Sequence, residues 1–84
     1  MIINKQNIKS FIVDSLDLQI SPNDIADEML LDTDLGIGSV HLLELATSIE
    51  EEFGVYIDDE EIYKIFKSVN SIFDFLSNTV QMEE

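Results

Sequence analysis

DLGIGSVHLLELATSIEEEFG, Asp34 to Gly54, sets a lone serine between a glycine and an apolar run and closes on three consecutive glutamates. From Ser39 to Phe53 the residues Leu42, Leu45, Ala46, Ile49 and Phe53 recur at i, i+3, i+4, i+7 and i+11, the series that lines one face of an α-helix. Gly54 supplies a natural stop, because helices often end on a residue in the left-handed region that glycine enters without penalty. At 100° per residue, Val40, Leu43, Glu44, Thr47, Glu50 and Glu51 fall opposite the apolar stripe. That outer face mixes carboxylates with two apolar side chains near the helix start. Either it docks a basic surface, or Val40 and Leu43 tuck under a neighbouring loop and the glutamates are merely solvated.

Upstream, Ile8, Phe11, Ile12 and Leu16 predict an amphipathic helix over about residues 4 to 16. Periodicity is lost between Asp17 and Gly38, where Ser21-Pro22 reads as a cap and first helical residue opening at most a short turn. A connection of this length in a small chain is unusual and often functional, and Met29, Leu30, Leu31, Leu35 and Ile37 should pin it to the core. Downstream, Val55 to Ile57 reads as extended. Asp58 to Glu61 then place negative charge at the start of a short third helix, with Lys64 and Lys67 at its other end. Ser68 caps a last helix whose core face is Val69, Ile72, Phe73, Leu76 and Val80, before a polar tail, Gln81 to Glu84. No alternating apolar pattern is long enough for a sheet. The expected fold is all-α: a small four-helix bundle with a long first loop and a short third helix, in one domain over residues 1 to 84.

The chain carries 18 acidic residues against Lys5, Lys9, Lys64 and Lys67, for a net charge of −14. Such a surface repels nucleic acid and anionic lipid and selects basic protein partners. With no cysteine, it has neither disulfides nor a thiol of its own, and any thiol chemistry needs an imported sulfur. No run approaches the roughly 20 apolar residues that span a bilayer, so a soluble, cytoplasmic protein is expected.

Ser39 stands where loop gives way to helix, beside backbone N–H groups with no intrahelical acceptor, so an anion on its oxygen would be stabilised. Gly36 and Gly38 leave room for an approaching enzyme. A plain capping role is the simpler use of a serine there. Asp32 and Asp34 begin like a calcium-binding loop, but Gly36 takes the fifth position and Leu43 the twelfth, so the further oxygen ligands are missing and no metal site is expected. His41, the one histidine, has no cysteine or nucleophile partner and reads as a surface residue able to make docking pH-dependent, not as a catalytic base.

The stretch DLGIGSVHLLELATSIEEEFGVYIDDEEI resembles the acyl carrier protein family around its modified serine, where D-L-G-x-D-S-L leads into a helix with E-L and an E-E-E-F ending. The resemblance continues into V-x-S-I-F-D-F-L near the C-terminus and covers nearly the whole chain. It implies that Ser39 carries 4′-phosphopantetheine, transferred from coenzyme A by a phosphopantetheinyl transferase that uses Mg²⁺. The thiol of that arm would hold an acyl or aminoacyl group as a thioester for partner enzymes, in fatty-acid, polyketide or nonribosomal-peptide synthesis, while the chain itself catalyses nothing. It further implies that Val40, Leu43, Glu44, Thr47, Glu50 and Glu51 meet partners and that the core around Phe53, Ile57, Ile62, Ile65 and Ile72 shelters an acyl chain. Gly38 departs from the family's usual aspartate and His41 from a frequent acidic residue, which removes charge beside the serine. The competing expectation is an unmodified acidic helical protein-interaction module with Ser39 purely structural.

Overall fold

The Asn4 side chain accepts the Asn7 N–H at 2.7 Å, meeting one of the donors that a helix start leaves unpaired, and helix α1 (Lys5–Leu16) begins there. It ends at Asp17, whose φ of 53° turns the chain out of the helix. In the computed structural model, which describes residues 2–80, three more helices follow: α2 (Ser39–Phe53), α3 (Ile62–Ile65) and α4 (Val69–Thr79). Gly54 ends α2 with φ 67°. Ser68 and Ser71 cap α4 reciprocally, each accepting the other's backbone N–H, at 3.3 and 2.9 Å. The Ser71 hydroxyl also donates to the Ile65 carbonyl at 2.7 Å, which ties the end of α3 to the start of α4.

Helices α1 and α3 each pack against both α2 and α4, closing a cycle around an aliphatic centre. Ile8 and Ile12 enter it from α1, Leu42, Leu45, Ala46 and Ile49 from α2, Ile62 and Ile65 from α3, and Val69, Ile72 and Leu76 from α4. On α1, α2 and α4 these are the positions that the spacing predicts, with Phe11, Leu16, Phe53, Phe73 and Val80 half-buried against them, while Ile62 and Ile65 are among the core residues that the family resemblance implies. Ile3, Ile25 and Phe66 are core residues that periodicity does not reveal, because each lies outside a regular helix. Among the described residues there is no β-strand. The fold is the all-α bundle expected, and the tail Gln81 to Glu84 lies outside the described residues.

The long loop is held at several points. Ser21 caps a 3-10 turn (Pro22–Asp24) by accepting the Asn23 N–H. Ile25, Leu31 and Ile37 are buried, while Met29, Leu30 and Leu35 are half-buried. Leu31 N–H donates to the Lys67 carbonyl at 2.9 Å, and Asn70 N–H to the Asp27 carbonyl at 3.1 Å, so the loop is bonded to the α3–α4 junction. The Asp27 carboxylate meets Lys9 at 2.7 Å and Lys5 at 3.9 Å on α1. The Lys9 hydrogen bond, more than the charges of Lys9 and Lys5, holds the Asp27 carboxyl below its ordinary value of 3.8.

Candidate functional site

The last residues of the loop deliver Ser39 to the start of α2. Asp34 closes a turn on Leu30, its carboxylate accepting the Leu30 N–H at 2.9 Å while its own N–H donates to the Leu30 carbonyl at 2.9 Å. Gly36 follows with φ 69°, a conformation that favours glycine, and the Ile37 N–H donates to the Leu31 carbonyl at 3.0 Å. Ile37 is buried and Gly38 is exposed. The chain is therefore anchored one residue before it emerges, and Ser39 is presented to solvent by a fixed turn.

Gly38, not Ser39, is the N-cap of α2, and no side chain caps this helix. The plain-cap reading of the serine fails on position: Ser39 is the first helical residue, one step beyond the place from which a side chain folds back onto the N–H groups of the first turn. The first α2 amide bonded to a helix-start carbonyl is Leu42, which donates to Gly38 at 3.0 Å. The N–H groups of Ser39, Val40 and His41 thus lack an intrahelical acceptor, and they concentrate the positive end of the helix dipole beside the serine hydroxyl. A Cβ added at Gly36 or Gly38 would meet no atom within 4 Å, so the space around the serine is open. An exposed hydroxyl, unpaired amide donors and an unobstructed approach are what a serine-linked phosphodiester requires, and the residues present fit that group.

On the outer face of α2, Val40 is 66% and Leu43 49% exposed, so the loop does not cover them. Glu44, Thr47 and Glu51 are exposed beside them, and the Thr47 hydroxyl donates to the Leu43 carbonyl at 3.1 Å. Glu50 departs from the expected outward placement. It is half-buried, and its carboxylate accepts the Ile57 N–H at 2.7 Å, because the extended segment after α2 has no strand partner and needs an acceptor for that amide. Helical phase alone cannot show this, since it ignores what passes beside the last turn. His41 is exposed.

The phosphopantetheine attachment site family model matches residues 8–76, from within α1 to within α4, with Ser39 inside it. The chain belongs to the acyl carrier protein family. It is 39% identical over 74 residues to an acyl carrier protein of Nitratidesulfovibrio vulgaris strain DP4, covering 88% of this chain and 93% of the relative. An acyl carrier protein of Thermosynechococcus vestitus is 36% identical over 75 residues, with 89% of each chain covered. One of Petrotoga mobilis is 35% identical over 83 residues, covering 94% of this chain and 89% of the relative. Members of this family are carriers, not catalysts, and their cofactor is covalently attached 4′-phosphopantetheine. Among the described residues of this acyl carrier protein, no helix is long and apolar enough to cross a membrane.

Two further features of the carrier escape sequence reasoning. Tyr56 and Tyr63 are 76% and 64% exposed, the most exposed aromatic side chains of the described residues. The signal for Tyr56 was present in the alternation of Val55, Tyr56 and Ile57, because an extended segment that turns its first and third residues toward the core, here half-buried Val55 and buried Ile57, turns the second outward.

Proposed function

We propose that Ser39 carries the 4′-phosphopantetheine arm and that the outer face of α2 receives the enzymes that load and process the cargo. The observation that carries this reading is the exposed Ser39 hydroxyl at the first position of an otherwise uncapped helix. When attached, the arm supplies the thiol that the cysteine-free chain lacks, and an acyl group rides on it as a thioester. The chain's own residues do the rest. The open N–H groups of Ser39, Val40 and His41 and the α2 dipole stabilise the phosphodiester's negative charge, and Gly38 leaves the serine oxygen accessible to the phosphopantetheinyl transferase.

Val40 and Leu43 offer apolar contact to an incoming enzyme, and Glu44 and Glu51 draw in a basic surface and set its orientation. Thr47 joins this face with its hydroxyl already engaged by the helix backbone, while Glu50 contributes charge from a position fixed by Ile57. The residues from 1 to 84 act as one carrier unit, and the reducing cytoplasm suits a protein whose work depends on a free thiol. The cargo is an acyl group of fatty-acid synthesis or of a dedicated polyketide or peptide assembly line; the mass attached to protein taken from its native cells identifies which.

The test is intact mass after incubation with coenzyme A, Mg²⁺ and a broad-specificity transferase. The wild-type chain gains one phosphopantetheine and Ser39→Ala gains none. A wild-type chain that gains nothing from any transferase, while still binding basic partners, overturns this reading in favour of the unmodified interaction module.

A further inference from the structure

We infer that Lys67 is the counter-charge of the phosphodiester on Ser39, a positioning residue that draws the root of the arm toward the α3–α4 junction; this rests on the attachment reading above. Cations are scarce in this chain, with 4 lysines against 18 acidic residues. Lys9 and Lys5 meet Asp27 at 2.7 and 3.9 Å, and Lys64 meets Glu61 at 3.5 Å. Lys67 is exposed and, among the described residues, is the one lysine with no carboxylate at ion-pair distance. In a molecule of net charge −14, an ammonium left without a partner is the exception.

The backbone ties Lys67 to the segment that presents Ser39. Its carbonyl accepts the Leu31 N–H at 2.9 Å, and the Leu31 carbonyl accepts the Ile37 N–H at 3.0 Å. Leu31 and Ile37 are both buried, so this ladder from the α3–α4 junction to the end of the loop is fixed, and Ser39 stands two residues beyond it. At full stretch the path from the Lys67 Cα to the Ser39 Cα is about 20 Å, from standard bond lengths and hydrogen bonds. An extended lysine side chain and the serine ester together span about half of that. What remains is no more than roughly one screening length at moderate salt, about 10 Å, so the two charges act on each other even without contact.

The nearby carboxylates are turned elsewhere. Asp32, next to Leu31 in the chain, accepts the Thr33 N–H at 2.6 Å, and Asp34 accepts the Leu30 N–H at 2.9 Å. The first turn of α2 carries no acidic residue. A phosphodiester on Ser39 thus brings an anion to a part of the surface where one cation is unpaired and the closest acids in sequence are bonded to the loop's own backbone. The open N–H groups of α2 act on that anion along the helix axis, and the flexible ammonium supplies a mobile point charge from the side.

The experiment compares the chain before and after phosphopantetheine transfer by NMR. The lysine ε-CH₂ signals report on each ammonium, and the ³¹P resonance reports on the diester. The expected result is that transfer moves the Lys67 signal more than those of Lys5, Lys9 and Lys64, and that a roughly tenfold rise in salt shrinks the change. Lys67→Gln shifts the ³¹P resonance of the loaded chain, Lys67→Arg restores it, and Lys64→Gln leaves it in place. Lys67 binds the loop through its carbonyl, so these variants keep that bond, and circular dichroism confirms that they are folded. A Lys67 signal unchanged by transfer, or a ³¹P resonance indifferent to Lys67→Gln or equally sensitive to Lys64→Gln, overturns the proposal while the attachment reading stands. A chain that takes up no arm, as read by mass, overturns both.

Discussion

At the scale of single residues, the carrier's site depends on what stands beside its serine. Gly38 caps α2 with φ −79° and ψ 171°, an ordinary extended conformation open to any residue, and a side chain there would meet no atom within 4 Å. Nothing in the backbone requires glycine at this position, in contrast to Gly36 and Gly54, whose φ values are 69° and 67°. Gly38→Asp should therefore be accommodated and should cap the open N–H groups. The expected gain is roughly a few tenths of a kcal/mol, or a rise in Tm of roughly 1–3 °C, measured by thermal unfolding. A fall in Tm would show that the site needs glycine for a reason beyond sterics. The serine and its glycines were legible in the sequence because a helix start has a local signature. That the serine is not itself the cap was not legible, because a shift of one residue along the chain leaves the apolar periodicity intact.

At the scale of elements, Glu50 is the residue on the outer face of α2 that is committed to the fold. Its carboxylate is committed to the Ile57 N–H at 2.7 Å, and Ile57 is only 4% exposed, so no water can readily replace the lost acceptor. Glu50→Ala should cost about 1–3 kcal/mol, the desolvation penalty of an orphaned buried amide, whereas Glu50→Gln keeps an acceptor and should restore most of the stability. Urea unfolding of the two variants distinguishes a structural bond from a charge kept only for docking; equal stability of alanine and glutamine variants would exclude the structural role. Glu44 and Glu51, exposed on the same helix, have no such bond among the described residues and should be nearly neutral to stability when replaced. The short α3 is shaped in the same non-local way. Four residues cannot hold a helix in isolation, and it persists because Ile62, Ile65 and Phe66 are buried and the Ser71 hydroxyl donates to the carbonyl of its last residue, Ile65.

At the scale of the whole molecule, Asp27 is the clasp. Its carboxylate holds α1 through Lys9 and Lys5, and its carbonyl holds the first turn of α4 through the Asn70 N–H. Because the Lys9 bond depresses the Asp27 carboxyl below 3.8 in the folded chain, its stabilising contribution is present above that pH and is lost as pH falls through the folded value. Wild-type and Asp27→Asn should thus differ in Tm at neutral pH, with the wild-type higher, and converge only as the pH falls through the lowered folded value of the Asp27 carboxyl. A constant difference across the acid range would sink that assignment. By itself the sequence determined the helices, their buried faces, the acidic character and the place of the serine, since each follows from spacing within one segment of chain. Only the tertiary structure decided that the loop is bonded to the α3–α4 junction, that Asp27 finds two lysines, that Glu50 turns toward Ile57 and that two tyrosines are left in solvent. Those outcomes depend on which segments meet, and no local period encodes a contact between residues far apart in the chain.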